Sequence, residues 1–177
     1  MKKLVPQTPD ALAHGSVASS LLTAVGQKNF VHILEKHNIT TVEPDGWYSH
    51  ALLLDVLRDI RDNKTAMYDL MSIGMQLVDR DAPLVFPTLE NVLFAVPQID
   101  ATQHRNSPGS YIVTRIDERC IQLKDYTPWP HDLVYGLLWE IIRKYEDTVE
   151  GTPSIKRVGV EYDATHGDEI GIYEVRW

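Results

Sequence analysis

The apolar residues of this 177-residue chain change their repeat once, near residue 108, and that change limits the folds open to it. Before it they recur at helical spacing. "YSHALLLDVLRDIRD" carries Leu53, Val56, Leu57 and Ile60 on one face behind a Ser49 cap. "TAMYDLMSIGMQLV" repeats the stripe with Met67, Leu70, Met71, Gly74, Leu77 and Val78 behind Thr65. "GSVASSLLTAVGQKNFVHILEKHNI" predicts helix interrupted or bent near Gly26, with Phe30, Ile33 and Leu34 on one face, and "TLENVLFAV" a shorter helix capped by Thr88 and stopped by Pro97.

After residue 108 the repeat falls to two. "SYIVTRI" and "CIQLKDY" alternate around "DER" as a hairpin, and "IKRVGVEYD" and "EIGIYEVRW" do the same around "ATHGD". Between them "HDLVYGLLWEIIRKYED" is helical, with Leu133, Leu137, Leu138, Ile141 and Ile142 as its buried stripe. The expected fold is α+β: N-terminal helices, then a β-β-α-β-β unit with a four-stranded antiparallel sheet. Residues 1–177 are expected to form a single domain, with a mainly helical half over 15–107 and a sheet half over 108–177. The prolines and weak periodicity of residues 1–14 predict a loose arm.

Charge and cysteine content narrow the partners. The net charge of −8 argues against nucleic acid, which demands a concentrated positive surface. No apolar run approaches the roughly 20 residues that span a bilayer, and Pro6, Pro9 and Asp10 interrupt any signal-like core, so a cytoplasmic protein without membrane contact is expected. A single cysteine, Cys120, makes neither an internal disulfide nor a thiolate metal site.

Parts of the second half resemble the superfamily that groups haem nitric-oxide/oxygen-binding domains with vinyl-reductase-type ligand domains and a Golgi-transport subunit family. "LENVLFAV" looks like the helix motif that carries the proximal histidine of the haem members. "IQLKDYTPWP" looks like their propionate-binding hairpin end, and "VYGLLWEI" like the helix that follows. Carried over residue by residue, the histidine position falls on Leu93, and the serine and arginine of the propionate motif fall on Pro128 and Pro130. The resemblance therefore implies the fold while arguing against haem, since leucine cannot ligate iron and prolines donate nothing to a propionate. No cofactor and no metal are expected.

The same resemblance directs attention to the aromatics. Phe94, Tyr111, Tyr126, Trp129, Tyr135 and Trp139 sit in or beside the region that walls the haem in the related domains, and they are the candidate lining of an apolar ligand pocket. Large aromatics at such spacing equally serve a core. His104 and Arg105, in the polar run "QHRNSPGS", are candidate contacts for an anionic group, or simply part of a solvated connection. His131 and Asp132 suggest a general base with its carboxylate, or a helix cap. Adjacent helical residues do not face one another, which favours the cap. "DATHGDE" holds three acids and His166 but lacks the ordered spacing of a calcium loop.

Together these features predict a non-enzymatic small-ligand-binding or sensory module without haem, working through a protein partner or as a homodimer. The alternatives are a scaffold or assembly subunit whose pocket is filled by side chains, and a small enzyme using His131 or His104.

Overall fold

The computed structural model describes residues 2–27, 30–39, 41–62, 66–80, 85–164 and 167–177. Thr65 and His166 lie outside the described residues, as does the side chain of Met67. Helices α1 (Gly15–Gln27), α2 (Val31–Lys36), α3 (His50–Arg61), α4 (Ala66–Arg80) and α5 (Leu89–Gln103) precede the change of period, and α6 (His131–Lys144) follows it. Strands β4 (Tyr111–Asp117) and β5 (Cys120–Asp125) form the first hairpin, and β6 (Ser154–Asp163) and β7 (Asp168–Arg176) the second. All pairs are antiparallel and the sheet order is β4-β5-β7-β6, so the two hairpins meet along β5 and β7. The α+β expectation holds.

The sheet is two-faced in the way its alternation predicts. Ile121, Leu123, Tyr173 and Val175 are fully buried on the face turned to α5 and α6, while Gln122, Lys124 and Glu174 point away. The side chain of Ser49 accepts a hydrogen bond from the Ala51 amide, and that of Thr88 accepts one from Asn91, so both predicted caps are in place.

Three features depart from the sequence pattern. A second, small sheet joins β2 (Trp47–Ser49), β1 (Leu12–His14) and β3 (His104–Arg105) inside the helical half, from strands too short to show a period. Pro97 does not end α5, which continues to Gln103 because Val96, Ile99 and Asp100 go on burying one side of it. Residues 2–14 are docked and not a loose arm: Leu4 is fully buried, and Arg61 at the end of α3 donates to the Lys2 carbonyl at 2.9 Å. Arg58 does the same for the carbonyl of Leu4.

Helices α4 and α6 cross on two glycines. A Cβ on Gly74 would fall on the Leu133 carbonyl, and one on Gly136 on the Met71 carbonyl, so the backbones touch where both side chains are missing. This crossing, with α1 and α5 beside it, frames the cavity described next.

Candidate functional site

A cavity of about 470 Å³ lies between the helical half and the sheet, well inside the range of small-molecule sites. Val17 and Leu21 of α1 and Leu77 and Val78 of α4 form one wall. Leu133, Leu137 and Ile141 of α6 form another, at the i, i+4, i+8 spacing of a helix face. Val96, Ile99, Asp100 and Gln103 of α5, with His104, Tyr111 and Trp129, close the third side. Val85, 84% exposed, stands at the mouth.

Of the eight candidates from the sequence, Tyr111, Trp129 and His104 line this cavity. Phe94 does not; it is 42% exposed, because it lies about 200° around α5 from the cavity-facing Val96. Tyr135 and Trp139 stack on each other with ring centroids 6.3 Å apart, on the side of α6 away from Leu133 and Leu137, and Trp139 is 40% exposed. Tyr126 lines a separate hollow of about 200 Å³ with Gln7 and Pro128. Arg105 lies over the Trp47 ring at 3.8 Å, so it and His104 do not act together on an anion.

The polar end of the cavity is an imidazole held in one orientation. Nδ1 of His104 lies 3.0 Å from both the carboxylate Oδ1 and the backbone oxygen of Asp100. Both neighbours only accept hydrogen bonds, so Nδ1 carries the proton and Nε2 presents its lone pair. Nε2 is buried and has no partner. Beside it His50, fully buried, meets His104 edge to face at 5.0 Å, and both rings lean on Trp129. Burial, then the neighbouring His104, lowers the pKa of His50 to about 4, so it is neutral at ordinary pH. Nothing in the sequence marks His50: its place at the first position of α3, after the Ser49 cap, reads as part of the helix start.

A second polar cluster lies behind the sheet hairpins, outside the cavity. Asp125, fully buried, accepts from Lys2 Nζ at 2.7 Å and from the Thr127 amide and hydroxyl. Burial opposes its ionisation, but the Lys2 charge and these hydrogen bonds outweigh it and hold the carboxyl below its ordinary range. His131 lies 3.5 Å from Glu169 and 3.9 Å from Asp125, whereas Asp132 turns toward Arg157. His131 and Asp132 are therefore no dyad. Neither caps α6 through its side chain, since the cap position is Pro130.

No protein-family model and no curated protein matches the sequence. Solved structures do. An oxygen-binding H-NOX domain related to soluble guanylate cyclases, in its oxygen complex, superposes with a TM-score of 0.67 at 10% identity, over 92% of this chain and 93% of that one. The fold is H-NOX-like. A mutant T. Tengcongensis H-NOX gives 0.68 at 10% identity, over 90% and 94% of the two chains. An H-NOX protein from S. oneidensis in the Fe(II)NO ligation state gives 0.65 at 14% identity, over 91% and 97%.

These neighbours correct the expectation that haem is excluded, because haem-bearing domains share this fold. The exclusion rested on Leu93, which is fully buried and outside the cavity wall, and on Pro128 and Pro130, which are likewise outside it. The H-NOX-like fold brings another histidine to the cavity from the end of the same helix, which the motif comparison did not include. The Nδ1 of that histidine is held by the Asp100 carboxylate and carbonyl, and its Nε2 is buried beside His50 and Trp129.

Proposed function

We propose that this H-NOX-like protein is a non-enzymatic small-ligand-binding or sensory module whose receptor site is the cavity between α1, α4, α5 and α6. The observation that carries this is the cavity's wall: aliphatic side chains from both halves around one oriented imidazole. A ligand there touches α1 and α4 on one side and α5 and α6 on the other. It therefore favours whichever arrangement of these helices fits it better, and that preference is the signal. The net charge of −8 suits a protein partner or a second copy as the receiver, in preference to nucleic acid.

The open volume favours this function over a scaffold whose pocket is packed with its own side chains. The cavity's one imidazole, that of His104, and the haem-bearing neighbours keep haem among the candidate ligands. Bound haem would supply a coordination position for a diatomic gas such as the oxygen or nitric oxide carried by the H-NOX neighbours. The test of the cavity itself uses a neutral polarity-sensitive naphthalene dye. It is expected to bind with a blue-shifted emission, and Leu137→Trp, which fills the cavity, is expected to abolish the shift. Dye binding indifferent to Leu137→Trp would place the ligand site elsewhere.

A further inference from the structure

The cavity has a charge character that its volume and apolar lining do not convey. Asp100 is the one acid among the described wall residues, and no lysine or arginine stands among them to balance it. Its side chain is 10% exposed, and Nδ1 of His104 engages only Oδ1. Among the described residues Oδ2 has no hydrogen-bond partner, although the residue lines the cavity. His104 itself offers a ligand little, because its Nε2 is buried beside His50 and Trp129.

Two neighbours add to this character. Gln103 follows Asp100 by three residues in α5, so it shares that face and brings an amide oxygen to the same wall. Tyr111 brings no second charge: burial, then Asp125 and Asp100, push its pKa up and keep the hydroxyl neutral.

Such a wall discriminates by the charge of what enters. An ammonium gains a charge-assisted hydrogen bond to Oδ2, with the Gln103 oxygen as a further acceptor. The aromatic rings of Tyr111 and Trp129 in the same wall are also compatible with a cation. A neutral hydroxyl makes an ordinary hydrogen bond there. A carboxylate is buried with no cation to pair it and with Asp100 opposing it.

Resting on the ligand-site function proposed above, we infer that the cavity selects apolar ligands carrying a protonated amine, held by Oδ2 of Asp100 with Gln103 beside it, and rejects apolar acids. Asp100 then serves two neighbours, the imidazole through one oxygen and the ligand through the other.

The experiment uses three probes that share one ring system and differ in a single group: naphthylmethylamine, naphthylmethanol and naphthylacetic acid. Their affinities for the purified protein are measured by calorimetry at neutral pH. The amine is expected to bind about tenfold more tightly than the alcohol, and the acid more weakly than either. Asp100→Asn is expected to lower the amine to the affinity of the alcohol, in a protein whose near-ultraviolet circular dichroism matches the wild type. Gln103→Lys, which adds a cation to the wall and leaves the His104–Asp100 contact in place, is expected to favour the acid over the amine. Failure of the amine to bind wild type, or an acid bound as tightly as the amine, overturns the assignment. So does an amine preference that survives either substitution, and Gln103→Lys decides alone if Asp100→Asn does not fold. In each case the cavity function stands if the dye still responds to Leu137→Trp, and falls as well if the dye does not.

Discussion

Lys2 Nζ lies 2.7 Å from Oδ2 of Asp125, with both side chains removed from water, although 123 residues separate them. The pair ties the first residues of the chain to the last residue of β5. It converts a segment whose sequence reads as loose into part of the structure.

Breaking this pair leaves a carboxylate buried and uncompensated. Lys2→Met is expected to cost about 3–5 kcal/mol, read from the midpoint of urea unfolding. The double variant Lys2→Met with Asp125→Leu should recover much of that loss. Because the Asp125 carboxyl is depressed in the folded state, its contribution is complete above ~4, the unfolded value, and disappears as the pH falls toward the folded one. The double variant should lack that acid-side loss.

His50 titrates in a higher window. Its pKa is about 4 when folded against 6.5 ordinarily, so between those values the unfolded chain binds a proton that the folded one refuses. Stability should therefore fall on acidification from pH 6.5 to about 4, by about 3 kcal/mol if His50 acts alone. His50→Phe keeps a ring against Trp129 and removes the titration. Its unfolding free energy should be flatter over that range than that of the wild type.

Two glycines invite opposite outcomes. Gly136→Ala drives a methyl into the Met71 carbonyl, which only a separation of α4 and α6 relieves, and should cost about 3 kcal/mol. Gly26→Ala, where an added Cβ meets nothing within 4 Å, should be neutral or stabilise α1 by up to about 1 kcal/mol. Thermal unfolding of the two variants side by side is the measurement.

The aromatics separate in the same way. Trp129→Ala removes a side chain 7% exposed that seats His50 and His104, and should cost about 3–5 kcal/mol while weakening dye binding. Trp139→Ala loses a half-exposed stack with Tyr135 and should cost about 1 kcal/mol or less, with dye affinity unchanged.

The larger architecture was legible because each element of the second half repeats its period over several residues. The alternation of "CIQLKDY" and "EIGIYEVRW" marks both as strands, and Ile121, Leu123, Tyr173 and Val175 form their buried face. The site was less legible. Tyr135 and Trp139 were marked by size, whereas Leu133 and Leu137, one helix face away, line the cavity and look like ordinary core. His104 was seen, but as a surface anion contact, since its burial depends on β3 pairing with β1 some ninety residues earlier. His50 needed the same long-range folding. The haem exclusion rested on single motif positions, Leu93, Pro128 and Pro130, and it does not stand beside haem-bearing domains that share the fold at 10–14% identity.

Pro97 gives α5 a further property. Having no N–H, it leaves the Leu93 carbonyl without its helical partner, so the helix is mechanically in two parts. The first part is clamped, by its Thr88 cap and by Thr148, whose hydroxyl accepts from the Leu89 amide at 2.9 Å. The second carries Asp100 and leads directly into His104, whose backbone pairs with β1. The two ends of α5 are thus anchored to different parts of the fold, the first beside Thr148 and the second in the small sheet.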